Sequence, residues 1–197
     1  MYLTVSERRR KMKRLLVVVL VVFMISPAAV AKQVGKVNLP DSLMAGKDEL
    51  LLNGAGFRKK FFIKVYAAGL YLKEKQTDPQ KIMDADTPMA IRMHFVHSEV
   101  SSKKLVNAWN EGFVNGTGGN IAPIKTKIDT FNAYFSQKAE KNDIYDIVYL
   151  PEQGVSVYIK GELKGTIKGL DFKKALFSIW LGEKPADSKL KKKMLGE

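Results

Sequence analysis

The chain has 197 residues, a formal net charge of +13 and 46% hydrophobic residues, and it contains no cysteine. This length fits a single domain, or at most a domain and a half. The hydrophobic content is sufficient for a buried core, so the composition excludes an intrinsically disordered chain. The lack of cysteine excludes disulfide scaffolds, thiolate metal sites, iron–sulfur clusters and cysteine nucleophiles.

The first 31 residues have the pattern of a secretory signal peptide. A basic run over residues 8–14 precedes eleven apolar residues from Leu15 to Ile25, and then Pro27 and a small-residue stretch ending at Ala31. A membrane-spanning helix needs about 20 apolar residues, so this stretch is too short. We expect cleavage after Ala31 and an exported, periplasmic mature protein without a transmembrane segment. The alternative is an uncleaved N-terminal anchor.

The remaining charge does not indicate a nucleic-acid partner. Residues 32–197 carry 27 basic and 19 acidic side chains, a net charge of +8. Lysines at 189, 191, 192 and 193 contribute to this excess, and such a run is typical of a solvated helix face. No aromatic residue is interleaved with them, so we expect no nucleic-acid binding.

The first half of the mature chain predicts mainly strands. Residues 48–53 predict a strand that ends in a flexible corner at Gly54–Gly56. Residues 60–73 are rich in aromatic and branched side chains and predict one or two strands. A short helix is expected over 78–84. Residues 89–97 alternate between apolar and polar side chains, which predicts a half-buried strand.

The second half alternates between helices and strands. Ser101 predicts the N-cap of an amphipathic helix that ends at the glycine-rich residues 115–119. A second helix is expected over 124–135, and Asp171 predicts the cap of a third, before a basic terminal helix. Between them, three short strands are predicted, over 144–150, 154–160 and 162–168. The pattern indicates one α+β domain over residues 32–197, an antiparallel sheet with helices on one face.

The residues predict neither a metal site nor a cofactor. His94 and His97 are expected on opposite faces of one strand, without acidic partners at ligand spacing. The sequence has no G-x-S-x-G motif. Gly54-x-Gly56 lacks the third glycine of a dinucleotide fingerprint, and Gly116–Gly119 lacks the lysine of a P-loop. We expect no metal and no cofactor.

Arg58 and Tyr66 are the most informative pair. Arg58 follows the glycines and precedes an apolar strand, where a guanidinium offers two parallel donors to a carboxylate or an enolate oxygen. Tyr66 has the same strand parity and adds a phenol donor. The alternative is that Arg58 belongs to a solvated basic tip and that Tyr66 only fills the core.

Two segments resemble the chalcone isomerase fold family, in particular its bacterial exported chalcone-isomerase-like members. They are L-N-G-A-G-F-R at 52–58 and K-V-Y-A-A-G-L-Y-L at 64–72. Residues 165–169, 171–172 and 179–182 match the same pattern. The resemblance covers about residues 33–197, and it implies an open-faced β-sandwich, in which helices are layered on one face of a large antiparallel sheet.

The resemblance also implies roles for individual residues. The family contains plant enzymes that cyclise chalcones and non-catalytic relatives that bind a fatty acid through an arginine and a tyrosine. The arginine falls on Arg58. Tyr66 occupies the position of the enzymes' threonine, where the fatty-acid-binding relatives have a tyrosine. The enzymes' tyrosine and asparagine fall on Ser101 and Ala108, which do not supply the expected hydrogen bonds. A later threonine or serine falls on Ser178.

These observations predict a non-catalytic protein that binds a small amphipathic carboxylate, such as a fatty acid, through Arg58, Tyr66 and Ser178. One alternative is an isomerase or intramolecular lyase in which Arg58 stabilises an oxyanion. Another is a scaffold whose cleft is collapsed. A straight strand places residues 58 and 66 about 26 Å apart, at about 3.3 Å per residue. Arg58 and Tyr66 therefore converge only if the chain reverses between them or crosses from a neighbouring strand.

Overall fold

The computed structural model describes residues 31–197. The predicted signal peptide lies outside these residues, except for Ala31. In chain order the strands are β1 (Ala31–Val34), β2 (Val37–Pro40), β3 (Ser42–Ala45), β4 (Asp48–Lys60), β5 (Ile63–Leu72), β6 (Met89–Phe95), β7 (Glu99–Val100), β8 (Ala139–Glu140), β9 (Ile144–Leu150), β10 (Gly154–Ile159) and β11 (Glu162–Ile167).

Five α-helices accompany these strands in the described part of the chain. They are α1 (Pro79–Asp84), α2 (Ser102–Gly116), α3 (Lys125–Ala133), α4 (Leu170–Leu181) and α5 (Ser188–Met194). A 3₁₀ turn over Ala122–Ile124 precedes α3. No helix within residues 31–197 is long and apolar enough to cross a membrane.

Seven of the strands form one antiparallel sheet in the order β11-β10-β9-β6-β5-β4-β3. Most neighbouring strands of this sheet are joined by short turns, whereas β5 and β6 are connected through α1. Strand β6 pairs with β9 after the chain has formed α2 and α3. The pairs β1–β2 and β7–β8 lie outside this sheet. The predicted α+β class with an antiparallel sheet is confirmed.

Side-chain alternation divides the core between the two faces of the sheet. On β5, Tyr66, Ala68 and Leu70 belong to the larger cluster, which also contains the apolar residues of α2, α3 and α4. Ala67 and Tyr71 belong to a smaller cluster with residues of the β1–β2 pair. The helices therefore cover one face, and the short β1–β2 pair covers part of the other.

Some boundaries differ from the predictions because of contacts distant in sequence. The expected corner at Gly54–Gly56 is wrong, since β4 continues through it to Lys60. A Cβ at Gly54 would overlap the carbonyl oxygen of Lys193, so this glycine allows the close approach of α5. The predicted cap Asp171 is also wrong. Helix α4 has its N-cap at Gly169, and Asp171 lies in the first turn.

Strand β6 ends at Phe95, two residues earlier than the predicted strand over 89–97. His97 therefore lies beyond the strand, and the expectation that it faces away from His94 on one strand is wrong. Within residues 31–197 there is no group of three or more His, Asp or Glu residues that could hold a metal ion.

Candidate functional site

The β4–β5 hairpin brings Arg58 and Tyr66 together. The chain reverses at Phe61 and Phe62, and the register pairs Arg58 directly with Tyr66. Residues directly opposite each other in an antiparallel pair have Cβ atoms about 4.5–5.5 Å apart. The distance of a straight strand therefore does not apply, and both side chains line the same cleft.

This cleft has a volume of about 410 Å³, within the range of roughly 300–1,000 Å³ that is usual for small-molecule sites. It lies between the β4–β5 hairpin, β6 and α2, and the C-terminal part of α4 closes one side. Its apolar lining includes Val65, Phe95, Leu105, Ala108, Trp109 and Ile179. Exposed charged residues, which include Lys60, Glu99, Lys104 and Glu111, also line it. The cleft is thus apolar along its walls and charged at its exposed edge.

Tyr66 is a buried hydrogen-bond donor in this cleft. Its hydroxyl oxygen accepts a hydrogen bond from Trp180 Nε1 at 3.1 Å, which leaves the hydroxyl proton for another acceptor. Burial raises the pKa of the Tyr66 phenol, and the nearby positive charge of Arg58 offsets only part of this effect. The phenol therefore stays neutral at physiological pH and keeps its proton.

Arg58 is half-buried and has unused donors. Its Nη1 donates to the neighbouring carbonyl of Lys59 at 2.6 Å, and none of the ion pairs found within residues 31–197 involves Arg58. The other arginine of this region, Arg92, contacts Asp146 through Nε at 2.7 Å and Nη2 at 2.8 Å. A guanidinium has five N–H donors. Arg58 therefore still has donors for a two-pronged contact with a carboxylate, of the kind that Arg92 makes with Asp146.

Ser178 does not lie in the cleft. Its side chain is buried, and the hydroxyl donates to the Ala175 carbonyl of the same helix at 2.6 Å. A Cβ at Gly116 would overlap Ser178 Oγ, which places Ser178 in the contact between α2 and α4. The structure therefore does not bring Ser178 together with Arg58 and Tyr66.

The two positions that resemblance assigns to the enzymes' other polar residues have different surroundings. Ser101 is the N-cap of α2, and its hydroxyl accepts a hydrogen bond from the Lys104 N–H. Ala108 lines the cleft but has no polar side-chain atom. Neither residue adds a side-chain donor to the cleft.

Two tryptophans belong to the site although the sequence analysis did not single them out. Trp180 donates a hydrogen bond to the Tyr66 hydroxyl. Trp109 lines the cleft, and its buried Nε1 has no hydrogen-bond partner among the described residues. The two rings pack edge to face, with centroids 5.7 Å apart. An indole N–H in an apolar helix stripe was the available signal, because buried tryptophan usually finds an acceptor.

Comparison with known proteins assigns the chain to a family. Residues 31–196 match the family profile described as chalcone isomerase-like. The chain belongs to the chalcone isomerase-like family. This membership confirms the resemblance that was found in residues 52–58 and 64–72, and it covers nearly all of the described residues.

A fatty-acid-binding protein of Arabidopsis thaliana is similar to this chain in both sequence and structure. Fatty-acid-binding protein 1 of Arabidopsis thaliana is 24% identical over 179 residues, which cover 75% of this chain and 63% of that protein. The crystal structure of this Arabidopsis thaliana fatty-acid binding protein superposes with a TM-score of 0.70 and 22% identity, covering 84% of this chain and 95% of that one. This likeness confirms the chalcone-isomerase-like fold.

Proposed function

We propose that the cleft binds the carboxylate of a fatty acid, or of a similar amphipathic molecule, and catalyses no reaction on it. The observation that carries the proposal is the pairing of half-buried Arg58, which keeps unused donors, with the neutral phenol of Tyr66 in an apolar cleft. The similarity to a plant protein named for fatty-acid binding supports the same ligand class.

Each part of the ligand has a chemically matched part of the cleft. The guanidinium of Arg58 forms a charge-assisted, two-pronged contact with the head group, and Tyr66 donates a further hydrogen bond. The hydrocarbon chain lies along the apolar wall that includes Leu105 and Trp109. Removing this chain from water provides the main favourable free energy, since burial is worth about 0.8 kcal/mol for each CH₂ group.

Two features favour binding over the alternative of an isomerase in which Arg58 stabilises an oxyanion. The raised pKa of Tyr66 keeps the phenol protonated, so it serves as a donor and not as a base. Ala108 occupies the cleft where the resemblance places the enzymes' asparagine, and alanine cannot donate to a developing oxyanion. The loss of one such donor typically lowers a rate by about 10²–10³-fold.

Calorimetric titration with oleate below its micellar concentration tests the proposal. Arg58→Ala should lose about 2–5 kcal/mol of binding free energy, because it removes the charged partner of a partly dehydrated carboxylate. Arg58→Lys should recover only part of this loss, since lysine keeps the charge without the two-pronged geometry. The matched control is Lys59→Ala, which removes a neighbouring exposed cation that does not line the cleft.

Equal oleate affinity in wild type, Arg58→Ala and Arg58→Lys would contradict the assignment of Arg58. Robust chalcone cyclisation that disappears in Arg58→Ala would instead support the isomerase alternative. Native mass spectrometry of the purified protein provides an independent measurement, since a bound fatty acid adds its own mass to the folded protein.

We also propose that residues 1–31 direct export and are then removed, which makes the mature protein periplasmic. The basic run, the eleven apolar residues and the small residues before Lys32 support this proposal. N-terminal sequencing of the protein released by osmotic shock should begin at Lys32. A membrane-bound product that retains residues 1–31 would contradict it.

A further inference from the structure

The tip of the β4–β5 hairpin exposes adjacent aromatic side chains. Phe61 is 87% exposed and Phe62 is 98% exposed, and the next residue, Ile63, is about half exposed. Single exposed apolar residues are common on soluble proteins, but consecutive large ones at a projecting turn indicate an interaction surface. We call residues 59–64 the hairpin tip.

The turn itself is unfavourable for these residues. Phe61 has φ of +56°, in the left-handed region that favours glycine or asparagine. Two-residue hairpin turns usually contain those residues because they adopt this conformation at little cost. Neither phenylalanine recovers the cost by burial within the described chain. Contact with a partner outside the described residues would offset this cost.

The charges around the aromatic rings indicate an anionic contact. Lys59 and Lys64 are directly opposite each other in the hairpin register, where like charges repel. Lys60 adds a third cation, and none of the three side chains forms an ion pair with another described residue. Lys189 of α5 lines a depression together with Phe61 and Phe62, and Asp187 is the one acidic residue among its lining residues. An anionic surface would relieve this repulsion.

We propose that the hairpin tip docks the protein on an anionic lipid bilayer. Phe61 and Phe62 enter the boundary between head groups and acyl chains, and Lys59, Lys60 and Lys64 contact the anionic head groups. Aromatic residues with a basic surround are suited to this boundary. A second copy of the chain fits the tip less well, because two facing tips would bring their lysines together.

Docking also places the cleft beside the bilayer. Lys60, Phe61 and Ile63 of the hairpin tip line the same cleft as Arg58 and Tyr66. A tip held in the head-group region therefore lets an amphipathic ligand pass between the bilayer and the cleft with little exposure to water. This transfer rests on the proposed function, whereas docking itself needs no bound fatty acid.

Co-sedimentation with vesicles measures docking directly. One set of vesicles contains phosphatidylcholine alone, and the other contains equal parts of phosphatidylcholine and phosphatidylglycerol, both without free fatty acid. Wild type should partition onto the anionic vesicles, with an affinity that falls as salt concentration rises. All variants are purified with the same N-terminus, verified by mass spectrometry, so differences between them report the hairpin tip.

The decisive variant is F61N/F62G, which places asparagine at the residue with positive φ and removes both rings. It should fold at least as stably as wild type and bind anionic vesicles roughly tenfold more weakly or worse, since even half-burial of two phenylalanines is worth that factor. Phe62→Trp should retain binding, because tryptophan is enriched at membrane boundaries. K59Q/K64Q should lose roughly 30-fold, since each lysine near an anionic surface contributes about a fivefold increase.

The matched control is Leu163→Asn, which removes an exposed apolar side chain from the β10–β11 hairpin. Lys160 and Lys164 flank it, and both are ion-paired, to Asp143 and Glu162. This variant should bind like wild type.

Absence of wild-type binding to anionic vesicles, or equal binding by F61N/F62G, would overturn the proposal. A dimer that F61N/F62G converts to a monomer, without vesicle binding, would assign the tip to self-association instead. Failure of oleate binding in calorimetry would remove the transfer step and leave docking unaffected.

Discussion

Replacement of Tyr66 by phenylalanine tests the two roles that the structure gives to its hydroxyl group. The oxygen accepts a hydrogen bond from Trp180, and the proton is available to a ligand in the cleft. Tyr66→Phe removes both interactions and keeps the buried ring, whose edge-to-face contact with Phe95 has a centroid distance of 5.5 Å. The variant therefore changes polar contacts and leaves the packing nearly constant.

The expected loss of stability follows from the buried Trp180 N–H. Without the Tyr66 oxygen this donor has no partner, and an unsatisfied buried donor costs about 1–3 kcal/mol. In a domain of this size each kcal/mol lowers Tm by about 2–4 °C. We therefore expect Tm of Tyr66→Phe to fall by roughly 2–12 °C in thermal melts followed by circular dichroism.

The expected loss of affinity follows from the missing donor to the carboxylate. A hydrogen bond to a charged group contributes about 1.5–3 kcal/mol, which corresponds to a roughly 10- to 150-fold weaker oleate affinity in calorimetry. In wild type, burial raises the pKa of Tyr66 above its ordinary value of 10.0, so the phenol keeps its proton. Oleate affinity should therefore stay constant from about pH 7 to 9 as far as Tyr66 is concerned.

Trp180→Phe is the control that separates the two roles, because it removes the indole donor and keeps the Tyr66 hydroxyl. It should lower Tm and reduce oleate affinity less than Tyr66→Phe does. If Tyr66→Phe melts and binds oleate like wild type, the hydroxyl has neither role, and the assignment of Tyr66 to the ligand site is wrong.

Further predictions concern three residues away from the cleft. Burial lowers the pKa of Lys173 to about 8 from 10.5. Between these pH values the unfolded chain still holds the proton that the folded chain has lost, so the free energy of unfolding should rise with pH. Urea midpoints should show that rise in wild type and lack it in Lys173→Met. Lys173→Met should also lose about 2–4 kcal/mol of stability, because Nζ donates to three carbonyl oxygens at the end of α1. Ser178→Ala should leave oleate affinity within about 0.5 kcal/mol of wild type, since its hydroxyl bonds within α4 and not to the cleft. Gly116→Ala should lower Tm, because the added Cβ would overlap Ser178 Oγ; an unchanged melt would show that α2 and α4 are less closely packed.

Local signals determined which elements form. The alternation along residues 89–95 requires a strand with one buried face, and it produced β6. Ser101 caps α2 through a hydrogen bond to a residue three positions away, which any chain with this local sequence can form. Arg58 and Tyr66 could also be selected from the sequence, because their donors suit a carboxylate and because both fall in segments that resemble a known family.

Only the tertiary structure decided how these elements meet. Phe61 and Phe62 form a turn without the glycine or asparagine that usually marks one, so the sequence left open whether residues 60–73 form one strand or two. The same reversal decided that Arg58 and Tyr66 face each other. Gly54 resembles a corner locally, yet its backbone accommodates α5, which lies far along the chain.

The position of Ser178 has the same physical origin. Periodicity defines a helix and its apolar stripe, but it does not specify which neighbour a residue on that helix contacts. Packing of α4 against Gly116 of α2 encloses Ser178, while Trp180 of the same helix reaches Tyr66. The chain thus encodes its helices, strands and candidate donors locally, whereas long-range packing selects which donors reach the cleft.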